Sequence, residues 1–208
     1  MNEAASEAAS FVDKWRARWP EWGIARVFVP ADQRDLAEHW FALLQEWTDA
    51  ASTNEPAPGL AKLAWWQEEL RGWAKGARRH PLGVRLQKAA VDWNAVADAL
   101  PALARREEIG DGQALSSLAR TLSDAEQHLF GEPRDGQRSI QHALVQAVLP
   151  PATTSPSSTI SCESLEGTRP RRILGALGVA RVGNGHAPAS PWGTLRCSWR
   201  AARAHGPG

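Results

Sequence analysis

An all-α fold is what this sequence predicts, and three observations carry it. Through most of residues 1–150 apolar side chains recur at steps of three and four, the repeat of a helix with one buried face. No stretch alternates apolar and polar residues as a half-buried strand does. Helix breakers fall between the periodic segments, at Pro20, in "TNEPAPG" and at Pro101. With 43% apolar and 23% charged residues in 208, the chain has the composition of a globular protein with an adequate core.

The elements follow in order. Phe11, Trp15, Arg18 and Trp19 mark an opening helix stopped by Pro20. "EWGIARVFVP" reads as a short apolar crossing between Gly23 and Pro30. A long helix runs from about Ala31 to Ser52, and the next from about Pro58 to Ala77 on Leu63, Trp66, Leu70, Trp73 and Ala77. Leu86, Ala89, Trp93, Val96 and Leu100 predict one helix over Val84–Leu100. Leu115, Leu118, Leu122, Ala125 and Leu129 predict another over 113–130, and residues 137–149 make a last one.

After Pro150 the character changes to Pro, Ser, Gly and Arg with little periodicity, and only Ile173–Val182 reads as a brief apolar element. The expected organisation is a helical domain over 1–150 and a tail over 151–208 too poor in apolar residues to fold, hence disordered. The net charge of +1 divides into −4 for the domain and +5 for the tail, and neither points to a nucleic-acid partner. Cys162 and Cys197 form no CxxC pair, which excludes a disulfide framework or a zinc site. "MNEAASEAAS" has no apolar run, so no signal peptide is expected and a cytoplasmic location is. G-x-S-x-G, H-E-x-x-H and phosphate-loop patterns do not occur.

Two helices carry the polar residues of interest. On the helix over 58–77, Trp66 and Trp73 lie in the core stripe, Glu68 lies opposite and belongs to water, and Lys62, Trp65 and Glu69 occupy one flank. On the preceding helix the core face is Ala37, Phe41, Leu44 and Thr48, with His39 and Glu46 pointing outward. Gln45, Thr48, Asp49 and Ser52 make a polar strip at spacing i, i+3, i+4, i+7. The strip and the flank of Lys62 and Glu69 are either an amphipathic edge or the wall of a cavity, and the pattern alone allows both.

In "HWFALLQEWTDAAS" and "GLAKLAWWQEELRGWAKGARRHPL" the sequence resembles the squalene/phytoene synthase family, the head-to-head prenyl transferases, over about residues 11–130. The resemblance lies in the order of elements, the loop spacing and a Leu-x-x-Trp helix with an acidic pair ending near His-Pro. It implies an isoprenoid-synthase-like helical bundle, in which two aspartate-rich motifs hold Mg²⁺ and the metals take up the charge of a leaving diphosphate. The family's first motif is Asp-Asp-x-x-Asp preceded by Arg. Its positions fall here on Thr48, Asp49 and Ser52, with Gln45 in place of the Arg. The second motif is missing after residue 100, since Asp124 and Glu126 lack its spacing.

The implied bundle is incomplete, because its closing helices are replaced by the tail, as a shifted frame or truncation after about residue 140 would produce. The expectation is therefore a relative without catalytic residues or a metal site, Asp49 being a vestige. It needs no cofactor, and its partners are an isoprenoid or other lipid, or a protein in an assembly role, with peripheral membrane contact and no nucleic acid. Two alternatives stand beside it. One is an active prenyl transferase using Mg²⁺ and Asp49 with Glu46 or Glu69. The other is a truncated product without function.

Overall fold

A computed structural model describes residues 3–53, 55–105, 113–149 and 165–204. Among the described residues are ten α-helices: α1 (Glu3–Arg18), α2 (Trp22–Ala25), α3 (Arg34–Ser52), α4 (Pro56–Ala74), α5 (Gly83–Leu86), α6 (Trp93–Ala99), α7 (Ser116–Phe130), α8 (Gln137–Val148), α9 (Arg169–Gly183) and α10 (Pro191–Arg203). The rest is short 3₁₀ turns and loops, and no strand occurs among the described residues. The all-α expectation holds.

Helix α3 is the axis. It packs against α1, α4, α5 and α8, and 12 of its 19 residues are buried. From α4 the chain passes through α6, α7, α8, α9 and α10, each against the one before, and α10 returns to touch α2. Gly59 in the first turn of α4 sits so close to α3 that a Cβ there would strike the Ala50 carbonyl oxygen and the Thr53 methyl. This close approach brings α4 down on α3 one helical turn before Lys62.

Two helix boundaries differ from the periodicity. The apolar crossing at 21–30 is the short α2 followed by a 3₁₀ turn, Arg26–Phe28. The single helix over Val84–Leu100 is two, α5 and α6. Asp92 caps α6 by accepting the Ala95 N–H at 3.0 Å, and the Trp93 indole turns back to the Gln87 carbonyl at 3.2 Å. A side-chain cap in mid-pattern outweighs a weak helical preference.

The larger correction concerns the tail. Residues 150–164 and 205–208 lie outside the described residues, but 165–204 are not disordered. They form α9 and α10, and α9 buries Ile173, Ala176 and Leu177 completely. Charge adds to this apolar contact in docking the segment. Arg171, 4% exposed, donates through Nε to both oxygens of the buried Glu126 of α7 at 3.0 and 3.2 Å, with a further very short contact from Nη2. Arg172 donates to the Ala201 carbonyl in the last turn of α10 at 2.9 Å. At the other end of α9, Arg181 grips the Glu21 carboxylate at 2.6 and 2.8 Å and stacks over Trp19 at 4.1 Å. A count of apolar residues misses these contacts, because Arg171 and Arg181 join the few apolar residues of the segment in the interior and their partners, Glu126 and Glu21, lie in the first 150 residues.

One member of a buried ion pair is costly to remove, because the other is left charged and unpaired. Arg171→Ala is expected to lower unfolding free energy by roughly 3–5 kcal/mol, and the double replacement Arg171→Met with Glu126→Leu by much less. Urea unfolding of the three proteins checks this; equal losses in the single and double variants would contradict it.

Candidate functional site

The strip on α3 meets another helix. Helix α1 lies across it and supplies the cations. Asp49 is bound by Arg18 Nη1 at 2.7 Å, by Lys14 Nζ at 3.5 Å and by the amide of Gln45 at 2.6 Å. Thr48 is buried and spends its hydroxyl on the Leu44 and Gln45 carbonyls at 3.1 Å. Ser52 turns its hydroxyl back to the Asp49 carbonyl at 3.4 Å. All four residues share one edge of α3, as their spacing requires, and that edge is an interface between helices.

Glu46 does not point outward; it is 4% exposed and accepts from Lys14 at 2.9 Å and from Lys62 of α4 at 2.7 Å. The reason is the central position of α3. A helix packed on several sides has no single buried arc, so an angular reading that assigns one face to the core misplaces residues on the others. His39 is corrected on the same ground: it is 8% exposed, with Nδ1 2.8 Å from the Asp35 carbonyl.

Glu69 is also not a rim residue. It is 1% exposed and fully engaged: the Trp73 indole donates at 2.7 Å, the backbone N–H groups of Arg79 and His80 at 2.8 and 2.7 Å, and Arg79 Nε at 3.0 Å. Lys62, placed beside it on the sequence, goes instead to Glu46. Glu69 therefore anchors the turn after α4 rather than lining a site. Trp66 and Trp73 are buried and Glu68 is exposed, as expected.

Behind these ion pairs the interior is filled with indoles. Trp40, Trp47, Trp66, Trp73 and Trp93 close a ring in which successive centroids are 4.9 to 6.5 Å apart, within the range of favourable edge-to-face contact. Space open to a ligand lies at the margin. A cleft of about 320 Å³ opens where the end of α3 meets the start of α4, one turn beyond Asp49, lined by Ala50, Pro56, Leu60, Leu63, Leu103 and others.

Electrostatics follow the geometry. Burial raises the carboxyls of Glu46 and Asp49, but Lys62 and Lys14 on the first, and Arg18, Gln45 and Lys14 on the second, outweigh it and leave both below their ordinary values. Burial likewise raises Glu69, and the two backbone N–H groups with Trp73 and Arg79 bring it down further than burial lifts it. His80 goes the other way. Packed against Phe11, Trp65 and Trp66 at 4.4 to 5.9 Å, it is pushed by desolvation down to about 4, although Glu46 and Glu69 pull it upward. Its Nδ1 accepts the Leu82 N–H at 3.2 Å, which suits the neutral ring.

Mg²⁺ asks for several hard oxygen ligands. Glu46 and Asp49 are the acidic groups on this face, and each is already bonded to ammonium or guanidinium groups; Thr48 and Ser52 bring no charge. The residues present do not fit the metal. Among the described residues no group of three His, Cys, Asp or Glu side chains comes together to hold a metal ion, and no helix is long and apolar enough to cross a membrane. No protein-family model, no curated protein and no solved structure matches this chain.

The His80 geometry gives a pH prediction. A histidine held neutral in the fold and free to ionise when unfolded contributes stability that falls as pH drops from its ordinary 6.5 toward about 4. The depressed carboxylates act lower, from their ordinary 4.5 and 3.8 downward. Between about pH 6.5 and about pH 4.5, then, His80 contributes a loss of stability that the carboxylates do not. His80→Phe is expected to flatten unfolding free energy across that window, measured by urea titration at several pH values; an unchanged slope would contradict the assignment.

Proposed function

We propose that this chain is a squalene/phytoene synthase-like protein in which Mg²⁺–diphosphate catalysis is lost and a ligand-binding or assembly role remains. What carries the reading is the fate of the aspartate positions. Of the three, only Asp49 keeps a carboxylate, and Arg18 and Lys14 neutralise it from α1. The Nζ atoms of Lys14 and Lys62 sit where a metal on this face would have to bind, and they serve Glu46. A leaving diphosphate finds no metal to take up its charge. The tryptophan ring fills the middle of the bundle, and the cleft between the ends of α3 and α4 offers room for a short substrate chain. At about 320 Å³, with Leu60, Leu63 and Leu103 on its walls beside Thr53 and Arg105, that cleft stands at the lower end of small-molecule sites and has room for a short isoprenoid or other lipid tail.

One observation favours the catalytic alternative. Glu46 and Asp49 both reach Lys14, so two carboxylates do share this edge. Were the lysines to swing toward a diphosphate, both acids would be released to a metal.

Incubating the purified protein with farnesyl or geranylgeranyl diphosphate and Mg²⁺ separates the two. The proposal expects no Mg²⁺-dependent release of inorganic diphosphate and no shift of the unfolding midpoint by Mg²⁺ with diphosphate. Turnover that Asp49→Ala abolishes would overturn it in favour of the transferase.

A further inference from the structure

Helix α10 is built inside out. Its buried residues are Thr194, Ser198 and Ala201, while Trp192 is 82% exposed and Trp199 48%. Tryptophan contributes more to burial than almost any side chain, so an exposed pair on one short helix calls for an explanation. The pattern is also ordered. Trp192, Arg196, Trp199 and Arg203 follow one another at steps of four, three and four, which places all four on one stripe. All four are exposed, with Arg200 exposed on the flank, and Arg203 lies over the Trp199 ring at 4.9 Å. The helix contains no acidic residue. The arginine farther back that could compete, Arg181 of α9, is committed to Glu21.

We propose that this stripe docks α10 flat on an anionic phospholipid surface. Indole rings belong at the boundary between headgroups and acyl chains, where the ring body is apolar and its N–H reaches polar groups. Guanidinium groups pair with lipid phosphates, often through two hydrogen bonds, and their alkyl stems cover the apolar boundary. The seven-residue spacing of the two rings puts them about 10 Å apart along one side of the helix, a line parallel to a membrane plane. The inverted interior makes this arrangement affordable to the fold, because the small residues Thr194, Ser198 and Ala201 seat the helix while its large side chains stay outside. A single-stranded nucleic acid also stacks on tryptophan beside arginine, but it is held along a groove. A ring as exposed as Trp192 stands out from the surface. The proposal does not depend on the fate of the aspartate face.

The test is co-sedimentation of the full chain with vesicles of phosphatidylcholine alone and of phosphatidylcholine with about one-third phosphatidylglycerol. Binding to the anionic vesicles only, weakened by salt, is expected. Replacing Arg196, Arg200 and Arg203 with Gln should cost roughly fivefold in affinity per arginine. Trp192→Ala with Trp199→Ala should reduce binding about tenfold or more. These side chains are on the surface, so the variants should keep the wild-type unfolding midpoint, which serves as the control for folding. No sedimentation by the folded wild-type protein, or sedimentation unaffected by the tryptophan replacements, would overturn the proposal. Tighter binding to an oligothymidine than to the vesicles would also overturn it and assign the stripe to nucleic acid.

Discussion

The structure depends on buried glutamates that each join a tryptophan to an arginine. Glu126 receives the Trp40 indole at 2.8 Å and Arg171; Glu38 receives the Trp22 indole at 3.0 Å and Arg16; Glu69 receives the Trp73 indole at 2.7 Å and Arg79. Each of these carboxylates is 1% exposed. A charge this deep is tolerated only when several donors converge on it. That requirement fixes three parts of the chain at once: α1 through Arg16, the turn after α4 through Arg79, and α9 through Arg171. It also orients two indoles of the tryptophan ring, Trp40 and Trp73, whose N–H groups donate to Glu126 and Glu69.

The face on α3 that carries Asp49 follows the same chemistry. There the cations come from Lys14, Arg18 and Lys62, whose side chains are 58%, 55% and 43% exposed. Water and salt screen such pairs, as they do Arg16 and Arg79 of the triads, 41% and 59% exposed, whereas Arg171 and Glu126 are both buried. Glu46 and Asp49 are nonetheless both engaged by the protein's own lysines and arginine. The molecule thus has a filled centre, a neutralised acidic edge and, on α10, an exposed edge of tryptophan and arginine.

Much of the fold was legible because most helices bury one apolar face, and the stripe through Leu63, Trp66, Leu70 and Trp73 shows that face without ambiguity. The residues that failed share a cause. Glu46 and His39 sit on a helix packed on several sides, and Arg171 is a charged residue acting as core. Glu46 and Arg171 are held by partners 16 to 45 positions away, which local periodicity does not register. Glu69 was half legible, because Trp73 lies one turn along the same helix, whereas the turn that brings Arg79 and His80 back to it is not written in any repeat. The tail was misread for a compositional reason. Few apolar residues suffice when two arginines of one helix find buried acids elsewhere.

Native-state hydrogen exchange of the α9 amides tests the central claim most directly, that buried charge makes this helix part of the bundle. The account predicts that amides in the middle of α9, around Ala176 and Leu177, open with the same free energy as those of α3 around Phe41 and Leu44, both equal to the global value. Exchange of α9 many orders of magnitude faster than α3, with α3 still protected, would contradict it.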